Sequence, residues 1–392
     1  MEKVRYGIVG LGNMGSGHFR ILTNHEVDRA VLTAVCDIKP ARIEWAKAEA
    51  EKKGYEGLSY FENYRDMLHS GLIDAVIIAT PHYLHPVIGI EAFEAGLNVL
   101  SEKPIGVYTK KIHEFIDAAQ KSGKAFGIMY NQRTNPMYQK MREIVQSGEL
   151  GELKRCVWII TDWYRTQAYY NSGEWRATWS GEGGGVLMNQ CPHNLDLWQW
   201  IFGMPSRIRA FCSFGKYHDI EVEDDVTAYA EYPNGATGVF ITTTGEFPGT
   251  NRLEISGSKG RLIAEGTTLR YTKLNEDERK FCFETTAGFA SIPSTNCDET
   301  FPNSGPQHAG ILRNYTDHIL DGTPLLAPGE EGINGLSIAN AMMLSTWKED
   351  WVELPNDGEE FYEILKDRIA HSKGKVNVAE TVADLEGTYG TH

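Results

Sequence analysis

The sequence predicts an α/β fold in two parts: a doubly wound parallel sheet over residues 1–130, then an α+β domain with a mostly antiparallel sheet over residues 131–356. Three observations carry this expectation. Short apolar strands alternate with longer helical patterns through the first 130 residues. Beyond about residue 150 the alternation gives way to strands joined by tight turns. A glycine-rich run, Gly10-Leu11-Gly12-Asn13-Met14-Gly15, directly follows the first strand and opens the first helix.

In the first part, Val4 to Val9, Val31 to Asp37, Ala75 to Ala79, Asn98 to Leu100 and Ala125 to Met129 are short, apolar and rich in β-branched residues, as strands buried on both faces are. Helical patterns run over Ala41 to Lys52, Tyr64 to His69, Pro86 to Ala95 and Lys110 to Lys121, with Gly54, Gly71, Gly96 and Gly123 at their ends. This alternation implies a parallel sheet wrapped by helices. After a helix near Asn135 to Gln146, strands are expected at Arg207 to Phe214, Thr227 to Tyr232, Ala236 to Thr243, Asn251 to Ser256 and Arg261 to Ala264. The Asn234-Gly235 pair marks a hairpin between two of them. Helices are expected near 186–202, 307–320 and 333–346, and residues 357–392 form a charged extension with one amphipathic helix from Glu360 to His371.

Composition excludes several function classes. The 38 basic and 53 acidic residues leave a net charge of −15, which disfavours nonspecific binding to nucleic acid or anionic lipid. Apolar runs such as Ala75-Val76-Ile77-Ile78-Ala79 are far short of the roughly 18 residues of a membrane span. The chain starts straight into a strand without signal-peptide character. Its six cysteines show no CxxC, which argues against disulfides or zinc and for a reducing cytoplasm.

The glycine run has the spacing of a dinucleotide loop. Gly10 permits the tight turn, Gly12 lets the backbone approach a pyrophosphate, and Gly15 lets helix pack on strand. Asn13 and Met14 then present the free N–H groups of the helix start to the phosphates. Asp37 ends the second strand, where a carboxylate suits two ribose hydroxyls and repels a 2′-phosphate. NAD is therefore the expected cofactor, with Lys39 and Arg42 leaving NADP as the lesser option.

Together with this loop, Thr80-Pro81-His82-Tyr83-Leu84-His85, Ser101-Glu102-Lys103-Pro104 and Gly183-Gly184-Gly185…His193…Asp196 resemble the Gfo/Idh/MocA oxidoreductases, the glucose-fructose oxidoreductase and inositol dehydrogenase family, over roughly residues 3–355. The resemblance implies a Rossmann domain followed by an open-faced sheet domain, with sugar, polyol or glycoside chemistry at the nicotinamide. It implies that Thr80, His82, His85, Glu102 and Lys103 border the cofactor, and that the protein is a homodimer or homotetramer. The stretch Trp163-Tyr164-Arg165…Trp175-Arg176 with Met188-Asn189-Gln190 is most similar to members oxidising C3 of glucosides or of UDP-N-acetylglucosamine derivatives.

The reacting residues have a physical reading of their own. Pro104 restrains Lys103 towards extended geometry, so its ammonium is aimed, and the resemblance implies a cis bond between them. His193 is suited to act as general base for an alcohol losing hydride. Asn189 lies four residues before it, which would put both on one helix face, unless the helix starts near Cys191 with Pro192 in its first turn. Lys103, His193 and Asn189 are the catalytic candidates; many family members carry Asp at the position of Asn189, so proton transfer here rests on His193 and Lys103. Asp196 reads as structural, and Cys191 as a small packing residue.

Seven aromatics fall within residues 158–179. Some belong to the core; Trp163, Tyr169 and Trp175 can wall a sugar pocket while Asp162, Arg165 and Arg176 meet hydroxyls. The arginines would equally suit a carboxylate or phosphate. His82, His85, His308 and His318 lack metal-ligand spacing, so no metal is expected. The leading expectation is an NAD-dependent dehydrogenase for a secondary hydroxyl of a sugar or glycoside, at C3, giving a keto sugar. An NAD-dependent glycosidase working through transient C3 oxidation, and an inositol or polyol 2-dehydrogenase, share the same motifs. A non-enzymatic sugar sensor would have no use for both Lys103 and His193.

Overall fold

The computed structural model describes residues 2–375. The first sheet contains β1 (Val4–Val9), β2 (Ala30–Cys36), β3 (Ser59–Phe61), β4 (Ala75–Ile78), β5 (Asn98–Ser101) and β6 (Phe126–Ile128). Their order is β3-β2-β1-β4-β5-β6, and every pairing is parallel. All four residues of β4 are buried, as expected for a strand covered on both faces. Helices α1 (Asn13–Thr23), α2 (Pro40–Lys53), α3 (Tyr64–Leu68), α4 (Leu84–Glu94) and α5 (Thr109–Ser122) cover the sheet. Gly54 and Gly123 cap α2 and α5 in the left-handed conformation, as their positions in the sequence predict. The edge strand β3 was not expected; it is three half-buried residues long, too short for a periodic signal.

Strand order reverses between β1 and β4, and a doubly wound sheet binds ligands outside the carboxyl ends of its strands at that point. There Gly10 takes φ +91°, and a Cβ on Gly15 would lie 1.8 Å from the Gly10 carbonyl oxygen. Only glycine allows that approach of α1 to the loop.

The chain continues through α6 (Pro136–Gln146), β7 (Leu153–Ile160), α7 (Gln167–Tyr170), α8 (Pro192–Phe202), β8 (Arg207–Phe214), β9 (Glu223–Glu231), β10 (Thr237–Thr243), β11 (Asn251–Gly257), β12 (Gly260–Glu265), β13 (Thr268–Leu274), α9 (Glu278–Glu284), β14 (Ser294–Asn296), β15 (Glu299–Thr300), α10 (Gln307–Asp321), α11 (Gly332–Lys348), β16 (Val352–Glu353) and α12 (Glu359–Ala370). The second sheet runs β14-β13-β12-β11-β7-β10-β9-β8-β16, with β15 also on β13. Only the β7/β10 pair is parallel. Strand β7, absent from the expectation, is central. Its Cys156, Trp158 and Ile160 are buried while Val157 and Ile159 occupy the other, apolar face, so its alternation is masked.

One placement selects between the two options left by the sequence, and one differs from it. The helix near 186–202 begins only at Pro192, so Asn189 precedes it and does not share a helix face with His193. Proline at the first helical position loses nothing, because that N–H has no intrahelical acceptor. Helix α10, grouped by sequence with the second domain, returns to the first sheet. Its Thr316 hydroxyl lies 2.8 Å from that of Tyr6 on β1, and the Tyr315 hydroxyl donates to the Ala125 carbonyl at 3.0 Å. The helical half of the charged extension is docked: Phe361 and Leu365 of α12 are buried, and Phe361 stacks on Trp347 of α11 at 5.2 Å. Residues 376–392 of the expected extension lie outside the described residues.

Candidate active site

The loop between β1 and α1 has the features a dinucleotide needs. The N-cap of α1, Gly12, offers no side chain to the helix's first N–H groups, and a Cβ built on it would meet nothing within 4 Å. Open space thus faces unsatisfied donors and the positive end of a helix dipole. Asn13 and Met14 flank that space at half-buried positions. The Asp37 carboxylate bridges the loop by accepting from Leu11 N–H at 2.7 Å and from Lys39 N–H at 2.9 Å. Arg42 does not point outward for a 2′-phosphate. It donates to the Leu11 carbonyl at 2.7 Å and the Ser16 hydroxyl at 2.6 Å. Thr80, just past β4, has a buried hydroxyl oxygen without a hydrogen-bond partner among the described residues, a group a ligand could satisfy. These residues fit NAD.

Beyond β5, the Lys103–Pro104 peptide bond is cis, and Lys103 is buried. Its ammonium donates to the Asn189 carbonyl at 3.0 Å. Burial lowers its pKa, opposed by the charges of Glu102, Tyr169 and Glu182, and Arg176 lowers it further. The Asn189 side chain in turn donates to Glu182. Asn189, expected in a catalytic role, therefore acts on Lys103 through its backbone, while its amide is occupied by Glu182.

His193, in the first turn of α8, is buried, and its Nδ1 has no hydrogen-bond partner among the described residues. Burial and the Lys103 charge push its pKa well below 6.5, so the imidazole is neutral at pH 7 and able to accept a proton. Asp196, three residues on, is structural as expected. It takes two hydrogen bonds from Arg133, at 2.8 and 2.6 Å, tying α8 to the segment after β6.

The other expected cofactor residues divide. Glu102 is buried beneath Lys103 and accepts from His18 of α1 at 2.7 Å. Burial alone would raise its pKa, but the His18 hydrogen bond and the charges of His18, His308 and Lys103 hold it at about 2. His85 lies between the two loops, its ring nitrogens 2.7 Å from the carbonyls of Pro104 and Thr80, and its N–H donates to one of them. It straps the two loops together. His82 faces the second domain, with Nδ1 donating to the Glu182 carbonyl at 3.1 Å and its ring edge-on to Trp175 at 5.8 Å.

The aromatic stretch wraps the far side of this cluster. Trp163 at the end of β7 is buried, and Asp162 beside it is half-buried. Arg165 stacks between Trp163 and Tyr169, at 5.4 and 5.2 Å from their ring centres. Arg176 stacks between Tyr169 and Trp175, at 4.7 and 4.6 Å. The two arginines thus link Trp163, Tyr169 and Trp175. By contrast Trp158, Tyr170 and Trp179 are buried core, and the Cys191 thiol, pushed up to about 12 by burial, packs against Thr242.

Sequence reasoning missed Glu182, Gln190, His18 and Glu223. Gln190 donates to the Tyr169 hydroxyl at 3.2 Å. Glu223 accepts from Gly185 and Leu187 N–H at 2.8 and 3.0 Å, holding the glycine run that carries Asn189. A Cβ on Gly185 would lie 2.0 Å from the Glu223 carbonyl oxygen, which explains that glycine. His18 was legible in principle, three residues after Gly15 and so on the same helix face. No local pattern announces Glu223, which arrives from β9.

Among the described residues no group of three or more His, Cys, Asp or Glu side chains is placed to hold a metal ion, and no helix is long and apolar enough to cross a membrane.

Comparison with known proteins agrees with this geometry. Residues 4–130 match the model of an oxidoreductase family with an NAD-binding Rossmann fold, and residues 138–263 match the Gfo/Idh/MocA C-terminal domain. The structure of the WlbA dehydrogenase from Chromobacterium violaceum, solved with NADH and UDP-GlcNAcA, is 29% identical and superposes with a TM-score of 0.77 over 91% of this chain and 97% of that one. Levoglucosan dehydrogenase from Pseudarthrobacter phenanthrenivorans is 23% identical across 91% of this chain and 99% of its own. Inositol 2-dehydrogenase from Salmonella typhimurium is 33% identical over 150 residues, 38% of this chain and 43% of that protein. The chain belongs to the Gfo/Idh/MocA family of NAD-binding oxidoreductases.

Proposed function

We propose that this oxidoreductase oxidises a secondary hydroxyl of a pyranose sugar or glycoside, at C3, to the keto sugar. The observation that supports this reading most is the convergence of Lys103 and His193, two buried groups each shifted towards the neutral form by burial and both within electrostatic reach of one another. NAD⁺, when bound, supplies the acceptor for the hydride leaving the carbinol carbon. The protein has to take the hydroxyl proton as that bond breaks. Neutral His193 is the acceptor, and the Lys103 ammonium, which donates to the Asn189 carbonyl, orients the oxygen and stabilises its developing negative charge. Glu182 and Asn189 keep Lys103 aimed. Trp163, Tyr169 and Trp175 offer flat faces to the sugar C–H groups. C3 among the secondary carbons is favoured by the likeness to WlbA, whose structure holds a UDP-sugar.

A glucoside deuterated at C3 is expected to show a primary isotope effect in single-turnover NAD⁺ reduction, with a 3-keto product. An effect confined to C1 deuteration would make the protein an aldose dehydrogenase. Faster turnover of an inositol than of any glucoside would assign it to the polyols. The outer face of the second sheet, where Phe211 and Tyr229 are exposed, fits self-association as a dimer or tetramer, which sedimentation measures.

A further inference from the structure

The two arginines of the aromatic stretch are fixed in place yet carry no ion pair. Each guanidinium lies over two aromatic rings, and the main chain of Arg165 is held on both sides: its N–H donates to Thr244 at 2.9 Å and its carbonyl accepts from His218 at 2.8 Å. The edges are much less used. Among the described residues, Arg165 donates to the Tyr164 carbonyl at 2.9 Å and Arg176 to the Tyr169 hydroxyl at 3.0 Å. A guanidinium has five N–H donors, so most of each fork is left over. No carboxylate lies within 4.0 Å of either among the described residues, although the chain carries a net charge of −15.

A third cation joins them. Lys375, five residues beyond α12, donates to the Tyr170 carbonyl at 2.6 Å. Its pKa is lowered by burial, opposed by Glu182, and lowered further by Arg176, which places it beside that arginine. Glu182 is the acid that acts on both Lys375 and Arg176, with Asp219 and Glu221 acting more weakly on Lys375, and its oxygens are occupied by Ala177 N–H and the Asn189 amide. Arg176 and Lys375 thus share one carboxylate, itself shifted towards its neutral form by burial. Arg176 also lowers the pKa of Lys103 and His82, so the cluster opens on the same site as the reacting groups.

Keeping like charges together at half-buried positions is unfavourable unless an anion completes the group. We propose that the substrate carries an oxyanion, a carboxylate or a phosphate, and that Arg165 and Arg176 bind it by their exposed forks. Planar forks held by stacking are preorganised for two-point binding of such a group. The inference rests on the sugar-oxidation reading and narrows its substrate to acidic sugars: a uronate-type ring on one side, a sugar phosphate or nucleotide sugar on the other.

The test compares matched substrates with NAD⁺: methyl glucoside, methyl glucuronide, glucose 1-phosphate and UDP-glucose. At least one anionic sugar is expected to exceed methyl glucoside by about 10–100-fold in kcat/KM, the range for charged hydrogen bonds. A preference for the glucuronide identifies a carboxylate, and one for the phosphates identifies a phosphate. Arg165→Gln and Arg176→Gln should each cut that preference by about tenfold or more, mainly through KM, since the anion is remote from the reacting carbon. Thermal midpoint and NADH affinity of each variant report whether it is folded. Equal use of neutral and anionic sugars, or a preference unmoved in folded variants, overturns the proposal and leaves C3 oxidation standing. If no sugar reduces NAD⁺, the activity reading fails instead. Calorimetry on the NADH-loaded protein then decides this inference: glucuronate or glucose 1-phosphate binding no tighter than methyl glucoside overturns it.

Discussion

At Lys103 three neighbours settle what one side chain does. The Asn189 carbonyl takes one ammonium donor, the cis Lys103–Pro104 link sets the main-chain direction, and burial lowers the pKa. None of these contacts involves the glycine loop or Asp37. Lys103→Met should therefore leave NAD affinity close to that of the parent while removing most turnover, measured by fluorescence titration and steady-state rates. Equal loss of both would make Lys103 a cofactor ligand. His193→Ala should slow turnover about 10²–10⁴-fold, the usual worth of a general base. Because burial pushes the His193 pKa well below 6.5, the parent enzyme should lose activity only on the acid side of that value, as the imidazole charges. An acid limb that survives in His193→Ala would move the base elsewhere. Asp37→Ala should weaken NAD binding by about 1–3 kcal/mol and NADP binding less, because only the ribose hydroxyls lose a charged acceptor. An unmoved NAD/NADP ratio would remove Asp37 from the ribose.

At the scale of elements, the glycines of the first loop separate folding from binding. A methyl group at Gly15 collides with the Gly10 carbonyl 1.8 Å away, so Gly15→Ala must push α1 off β1 and lower the melting temperature. A methyl at Gly12 meets nothing within 4 Å, so Gly12→Ala should melt like the parent yet bind NAD poorly, because it fills the space for the pyrophosphate. If Gly12→Ala binds NAD normally, the cofactor lies elsewhere. Helix α8 shows a comparable division. Proline at its first position sets where it begins, and His193 directly after Pro192 is carried into the cleft by the helix start rather than by a helix face shared with Asn189.

Across the whole molecule, the interface between the two sheets concentrates buried histidines: His82, His193 and His308, all lowered by burial, His308 to about 4. Each is neutral when folded and free to charge near pH 6.5 when unfolded. The unfolded chain therefore binds more protons below that pH, and stability must fall as pH drops. His82 and His193 each contribute up to about 1.4 kcal/mol per pH unit in that window. Glu223 works the other way, since burial raises it to about 7 and the folded state holds its proton between the unfolded carboxyl value and that pH. Glu182 and Asp196 are raised in the same sense as Glu223, and His85 is lowered with the other histidines, so three carboxyls oppose four histidines. Glu102, held at about 2, adds its own loss only as pH falls below about 4.5. The melting temperature should thus decline between pH 6.5 and 4.5 in calorimetry, and a flat profile there would show these histidines charged in the folded protein.

The glycine spacing, the acid at the end of the second strand, the Glu102-Lys103-Pro104 run and the buried strands β1, β2, β4 and β5 could all be read from the amino-acid order alone. Their causes are local: a tight turn, a fixed φ, an apolar run of strand length. The sequence determined by itself that the chain binds a dinucleotide beside an aimed lysine. Strand β7 escaped because both its faces are apolar, and β3 because three residues carry no period. The start of α8 was left between two options that only the folded helix resolved. Tertiary structure alone decided that α10 crosses back to the first sheet, that His85 is a strap, and that Glu182 rather than residue 189 brings the carboxylate to Lys103. Those outcomes depend on partners between 7 and more than 300 positions apart in the chain, and no periodicity or spacing rule links side chains whose meeting is set by how two sheets pack.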